Sequence, residues 1–378
     1  MRLGIPKETW PGETRVAVIP AAVPPLVKAG LEVVVEPGAG VAAGFTDDAY
    51  TSHGATLVSR ADLFRTSDVV LQVRAVPADL SLLRSGQGVI GFADPLGAPD
   101  AIRALAGTGA SLFSMELMPR ITRAQSMDAL SSMATIAGYK GVLLAANALP
   151  RMFPMLMTAA GTISPARVFI VGAGVAGLQA ISTARRLGAK VEAYDVRPAV
   201  KEQVQSLGAK FVELALDAAD SEDKGGYAKA QDEAFYRRQR EMMLKVVAAH
   251  DVVITTALIP GKRAPILLTK EMVEAMPPGS VVVDLAAERG GNCEVTQPDQ
   301  VVVHHGVTVI GPSNPPALVP YHASQMYSKN ITTFLKHLLT KENAMAFDLA
   351  DEITRETLVT HKGDVTQERV RGLVTANA

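Results

Sequence analysis

Residues 166–195 read ARVFIVGAGVAGLQAISTARRLGAKVEAYD. The apolar run RVFIV has the length and β-branched content of a strand covered on both faces. Gly172, Gly174 and Gly177 follow at once in G-x-G-x-x-G spacing, with Val175 and Ala176 opening a helix that stops at Gly188. A second strand, VEAY, ends at Asp195, 18 residues beyond Gly177. The glycines serve different ends. The first permits a tight turn, the second lets a pyrophosphate approach the backbone, and the third lets helix and strand pack closely. The phosphates then rest on unpaired N–H groups at the positive end of the helix dipole. Asp195 can accept hydrogen bonds from the adenosine ribose hydroxyls, and its charge repels a 2′-phosphate. Arg197, next to Val196 and two residues past Asp195, opposes that preference, because a nearby arginine can accept the phosphate. The stretch reads as half of a dinucleotide fold that favours NAD over NADP.

Outward from this unit, short apolar blocks alternate with helical stretches in both directions. Strand-like blocks lie at 2–5, 32–35, 68–73, 88–92 and 111–115, and a second series lies at 167–171, 190–194, 251–255, 280–285 and 307–310. Residues 20–30 form a helix candidate that stops at Gly30. Residues 128–147, rich in helix formers and free of proline, predict a long connecting helix. Residues 321–339 are helical in pattern and are expected to return the tail to the first domain. The fold class expected is α/β, with two Rossmann-like doubly wound parallel-sheet domains and a cleft between them. The boundaries expected are 1–132 with 325–378 for the first domain and 133–324 for the nucleotide-binding domain. Thr256 and Ala257 follow a strand at its carboxyl end, where open α/β sheets bind ligands.

With 378 residues, 48% of them hydrophobic, and a formal net charge of −1, the chain has the composition of an ordinary globular protein. Nothing in it advertises nucleic acid or anionic lipid. The opening MRLGIPKE places a charge and a proline where a signal peptide needs apolar residues, and the apolar runs are short beside the ~18 residues of a membrane helix. A cytoplasmic location follows, with any membrane association made through a partner. The one cysteine, Cys293, excludes an internal disulfide framework and reads as a small buried residue. A second glycine-rich stretch, at 38–43, lacks room for the following helix and reads as a structural turn. His304 and His305 are adjacent, so on a strand they should face opposite sides and not share a metal. No metal site is expected.

Several blocks together resemble one family: IPKETWPGETRVAVIP, MELMPRITRAQSMDALSSMATIAGY, VGAGVAGLQA, TTALIPGKRAPIL and VVVDLAAERGGNC. They resemble the NAD(H)-binding component, the alpha-1 subunit or domain I, of proton-translocating nicotinamide nucleotide transhydrogenases, and the likeness spans essentially the whole chain. Alanine dehydrogenase is the wider relative. That enzyme needs a proton donor, because hydride transfer to a carbonyl or imine carbon leaves a heteroatom to protonate. Its histidine segment is matched here by Gly91, Phe92, Ala93, Asp94, Pro95 and Leu96, with no histidine. Its assisting aspartate falls at Glu288 and its substrate lysine at Arg74, while Arg15 persists as the carboxylate-binding arginine.

Hydride transfer between two nicotinamides moves no proton at the reacting carbons, so it calls for positioning. By resemblance, Arg120, Gln125 and Asp128 belong to the loop at the nicotinamide end of NAD(H), with Ser131 nearby. Gln125 can match a carboxamide, Arg120 a pyrophosphate, and Asp128 can orient the arginine or cap the helix that follows. Residues 217–240 read as a mobile loop running into a helix, and the family's lid is matched there by Gly225, Gly226 and Tyr227. The block 153–166 resembles the family's homodimer-clasping β-hairpin.

The resemblance implies an NAD(P)⁺ transhydrogenase, Re/Si-specific and proton-translocating, that passes hydride between NADH and NADP⁺. NADP(H) would sit on a partner beta subunit, and proton translocation would run through membrane subunits that make this chain peripheral to the inner membrane. The sequence closes on VRGLVTANA with no membrane run, which implies a system split over separate polypeptides. Two other readings stay open: a free-standing enzyme of the alanine dehydrogenase type, and a non-catalytic NAD(H)-binding regulator.

Overall fold

The computed structural model describes residues 1–76, 79–213, 233–259 and 261–376. In chain order it begins with β1 (Arg2–Ile5), α1 (Val23–Lys28), β2 (Glu32–Val35), α2 (Asp47–Ser52), β3 (Thr56–Leu57), α3 (Arg60–Thr66), β4 (Val69–Arg74), β5 (Gly88–Phe92), α4 (Pro99–Gly107), β6 (Ser111–Ser114) and α5 (Ala129–Ala148). A hairpin of β7 (Leu156–Thr158) and β8 (Gly161–Ile163) leads to β9 (Arg167–Val171), α6 (Val175–Arg186), β10 (Lys190–Tyr194), α7 (Lys201–Ser206) and β11 (Lys210–Phe211). Then come α8 (Glu233–Val247), β12 (Val252–Thr255), α9 (Lys270–Glu274), β13 (Val281–Asp284), β14 (Val301–His304) and β15 (Val307–Ile310). The tail holds α10 (Pro320–His337), α11 (Glu352–Thr357), β16 (Leu358–His361), β17 (Asp364–Val365) and α12 (Glu368–Ala376). These elements build two compact units, 1–133 with 316–378, and 134–315.

In the first unit the sheet order is β17-β16-β6-β5-β4-β1-β2-β3. The strands β1 to β6 are mutually parallel, and β16 pairs antiparallel to β6 and carries β17. The tail thus returns to this unit as strands as well as helices. The order reverses between β1 and β4, the switch point of a doubly wound sheet. Val69, Val70 and Leu71 are fully buried, as parallel strands covered on both faces must be. Local chemistry starts the helices: Thr46, Ser59 and Asp351 each accept an N–H of the first turn of α2, α3 and α11. The expected helix at 20–30 is a 3₁₀ turn at Pro20–Ala22 followed by α1, with Gly30 left-handed past its end. The second glycine-rich stretch is a 3₁₀ turn at Val41–Ala43.

The second unit has the order β11-β10-β9-β12-β13-β15-β14, parallel except for β14. Alternation along the strands divides its core. Val168 and Ile170 join α5, α6 and α7 on one face, through Val142, Ala145, Ile181 and Val204. Phe169 and Val171 join α8 and α9 on the other, through Met243, Val247, Met272 and Val273. Both sheets are doubly wound, as the alternating sequence pattern implied. Helix α5 is, by length and composition, apolar enough to cross a membrane. Its Val142 and Ala145 are nevertheless fully buried in the core of this unit.

One sequence expectation fails at the edge of this sheet. His304 ends β14, and His305 and Gly306 form the two-residue turn to β15, both left-handed at φ 47° and 77°. Strand alternation stops at His304, so the two imidazoles do not diverge. Their ring centroids are 4.8 Å apart.

Candidate functional site

The switch point of the second sheet lies between β9 and β12, where Val171 pairs with Thr255. The glycine turn emerges beside it. Gly172 is left-handed at φ 99°, and a Cβ there would meet Thr256 Oγ1 at 2.5 Å. A Cβ on Gly177 would fall 1.8 Å from the carbonyl oxygen of Gly172, so the third glycine is needed for close packing of helix on strand. Gly174 differs. The nearest heavy atom to a Cβ there is an Arg197 guanidinium nitrogen at 4.0 Å. This glycine keeps space open in front of α6, whose N-cap it forms without a side chain to cap the first turn. An open approach, an uncapped helix start and a guanidinium at its rim fit the pyrophosphate of a dinucleotide.

Asp195 is buried and engaged on several sides. Its Oδ2 accepts the Ala173 N–H at 2.7 Å and its Oδ1 the Arg197 N–H at 2.9 Å. The Arg197 guanidinium closes on the same carboxylate through Nε at 2.9 Å and Nη2 at 2.8 Å. Asp195 therefore braces the glycine turn. Val196 packs against the α8–α9 side of the core. Val175 and Ala176 are partly buried at the start of α6, and the latter meets α5. A Cβ on Gly138 of α5 would lie 2.1 Å from the Ala176 carbonyl oxygen, a constraint that sequence spacing does not announce.

Thr256 donates from Oγ1 to the Gly172 carbonyl at 3.1 Å, and its N–H donates to Val171 at 2.9 Å. Ala257 is pinned by Asn292, which accepts its N–H at 3.0 Å and donates to its carbonyl at 2.9 Å. Asp284 in turn gathers Thr255 Oγ1, Thr296 Oγ1 and the N–H groups of Ala286, Asn292 and Cys293 at 2.8–3.0 Å. Sequence reasoning named neither Asn292 nor Asp284 as a site residue. Their signal was their place in the block VVVDLAAERGGNC, just past a predicted strand. Cys293 is buried, and burial pushes its thiol up to about 11.

The structure gathers Gly172, Gly174, Val175, Ala176, Gly177, Asp195, Val196, Arg197, Thr256 and Ala257 at one end of the second sheet. Arg120, Gln125, Asp128 and Ser131 are gathered in the first unit, where Arg120 and Gln125 are exposed. Asp128 caps α5: Oδ1 accepts the Ser131 N–H at 2.9 Å and Oδ2 the Ser131 hydroxyl at 2.5 Å. Helix capping, one of its two expected roles, is seen. Gly226 and Tyr227 lie outside the described residues.

At the switch point of the first sheet stands a buried charged group. Arg15 donates from Nε to Glu13 at 2.6 Å and from Nη2 at 2.5 Å, both side chains being all but inaccessible. Arg74 Nε lies 3.6 Å from the same carboxylate, with its guanidinium over the ring of Trp10, the sole tryptophan. Glu8 accepts the N–H groups of Val73 and Arg74 at 2.6 and 3.1 Å. Burial nonetheless raises its carboxyl to about 8. Glu116 is raised too, by burial, against hydrogen bonds from Ser114, Asp94 and Ala93. Arg15, the position that matches the carboxylate-binding arginine of alanine dehydrogenase, is paired with a carboxylate of its own segment. Asp94, in the stretch that lacks a histidine, is left-handed at φ 46°, and Glu288 is exposed.

Two family models match the chain: alanine dehydrogenase/PNT, N-terminal domain, over residues 4–137, and alanine dehydrogenase/PNT, C-terminal domain, over residues 141–368. The chain is 47% identical over 381 aligned residues to the first part of NAD(P) transhydrogenase subunit alpha from Rhodospirillum rubrum, covering 98% of this chain and 99% of that one. The crystal structure of transhydrogenase from Sinorhizobium meliloti superposes with a TM-score of 0.87 at 47% identity, over 97% of this chain and 100% of that chain. A solved L-alanine dehydrogenase superposes with a TM-score of 0.82 at 26% identity, over 100% of both chains.

Proposed function

The chain belongs to the alanine dehydrogenase/PNT family, and we propose that within it this protein is the NAD(H)-binding component of a transhydrogenase. The carrying observation is the contrast between its two switch points. One presents an open glycine turn fit for a dinucleotide; the other holds a guanidinium already matched by Glu13. An alanine dehydrogenase needs a free cation for its substrate carboxylate and a proton donor, and the paired Arg15 and the histidine-free stretch around Asp94 offer neither.

Bound NADH supplies a hydride equivalent to an acceptor nicotinamide. The chain's own residues bind and orient. The Gly172–Gly177 turn and the first N–H groups of α6 hold the pyrophosphate, and Arg197 adds charge at its edge. Asp195 faces the ribose, while Val196, Thr256 and Ala257 shape the adenosine end. Arg120, Gln125 and Ser131 act at the nicotinamide end, on a loop whose helix Asp128 caps. The acceptor NADP⁺ belongs to a partner beta subunit, in a Re/Si-specific reaction coupled to proton translocation by membrane subunits. The protein works from the cytoplasmic side as a homodimer, and the β7–β8 hairpin, with Met155, Met157 and Ile163 exposed, supports that clasp.

The test mixes the purified chain with an NADP(H)-loaded partner domain and follows reduction of a spectrally distinct NAD analogue by NADPH. Reduction only in the mixture is the expected result. Turnover without the partner, dependent on pyruvate, ammonia and NADH, would overturn the reading in favour of an amino-acid dehydrogenase.

A further inference from the structure

At the edge of the second sheet two imidazoles and a carboxylate converge. The left-handed turn at His305 and Gly306 puts the His304 and His305 rings on one side of the hairpin. Opposite them stands Glu274, the last residue of α9. Its Oε1 lies 2.8 Å from His304 Nε2 and 3.6 Å from His305 Nε2. One ligand atom from each of the three falls within 4.8 Å of the others.

We propose that Glu274, His304 and His305 form a binding site for a divalent ion of the zinc, nickel or copper class. Imidazole nitrogens select these borderline metals over magnesium or calcium, which prefer all-oxygen shells. Tetrahedral zinc with ligands ~2.0–2.2 Å away sets its donors roughly 3.3–3.5 Å apart. The two carboxylate–imidazole separations, 2.8 and 3.6 Å, straddle that value, and all three donors lie within 4.8 Å of one another, which leaves a short adjustment of the side chains to close the shell. Three protein donors leave the fourth position to water. The three side chains are 33%, 22% and 61% exposed for Glu274, His304 and His305, which gives an ion a path in.

The position defines what such an ion does. β15 starts at Val307, so the cluster sits at the amino end of the parallel strands, whereas the glycine turn leaves β9 at the carboxyl end. Metal and dinucleotide therefore do not compete. An ion here ties the exposed edge hairpin to α9, fixing an edge strand whose Val301 and Val303 face solvent.

The test uses the full chain, stripped with chelator and titrated with zinc chloride at pH 7.5 against a chromogenic competitor. One equivalent should bind with a dissociation constant on the order of 1 µM or below. Glu274→Gln and His305→Asn should each weaken it roughly tenfold or more, and a zinc-induced rise in Tm should disappear with them. Asparagine tolerates the left-handed conformation, so the second variant keeps the turn and separates loss of a ligand from loss of the fold. Absence of saturable binding, or an affinity in either variant equal to that of the parent, overturns the proposal.

Discussion

Arg197 and Asp195 are joined twice through their side chains, Nε to Oδ1 at 2.9 Å and Nη2 to Oδ2 at 2.8 Å, at the mouth of the glycine turn. The residue proposed to discourage a 2′-phosphate thus holds the one that could accept it. Asp195→Ala should release that guanidinium and remove the acceptor for the Ala173 N–H. Fluorescence titration should find NADH bound about 10–100-fold more weakly, with NADPH losing less or gaining. An unchanged ratio of the two affinities would refute a selective role for the pair.

The glycines of the turn should separate by experiment. Gly177→Ala forces a Cβ to within 1.8 Å of the Gly172 carbonyl and should cost about 1–3 kcal/mol of stability. Gly174→Ala meets no atom closer than 4.0 Å, so its thermal midpoint should stay near that of the parent while NADH binding weakens. Full NADH affinity in Gly174→Ala would remove the pyrophosphate from this position.

Glu13 and Arg15 make a buried pair whose members depend on each other. Glu13→Ala leaves a guanidinium without its matching charge and should destabilise the first unit by about 3–5 kcal/mol, measured by denaturant unfolding. The double variant Glu13→Leu with Arg15→Met should recover most of that loss. A single variant as stable as the parent would contradict the pairing described.

Glu8 makes stability depend on pH. Its carboxyl is raised by burial to about 8, so the folded chain keeps a proton that the unfolded chain releases above ~4.3. The contribution of the neutral group is complete below the unfolded value and is lost as pH rises through about 8. With rising pH, unfolding should grow easier at a slope approaching one proton between about pH 5.5 and 7, and that slope should fade as pH passes about 8. Glu8→Gln should flatten it, and identical slopes in the two proteins would sink this assignment.

The sequence made the parallel strands legible because fully covered strands must be continuously apolar. RVFIV, KVEAY and VTVI fall within the strands observed. The glycine turn was legible for a related reason: backbone approach leaves no alternative to glycine at 172 and 177. Long-range pairing was not. Nothing in LVTH says that β16 joins β6, more than two hundred residues earlier, because edge pairing depends on which neighbour is vacant. The close approach of Ala176 to Gly138 was not legible either, because spacing does not say which helix packs there. The charges were least legible. Spacing does not announce that Glu13 folds back on Arg15, two residues away. The adjacent histidines misled because strand geometry was extended one residue into a turn.

Trp10 gives the first unit an optical label of its own. Its indole is 38% exposed and packs over the Arg74 guanidinium, beside the Glu13 and Arg15 pair. Since the chain has no other tryptophan, emission excited selectively at the indole reports that polar end of the first unit. Far-ultraviolet dichroism follows the helices of both units. The two readings together would tell which unit gives way first, with no dye attached and no residue replaced.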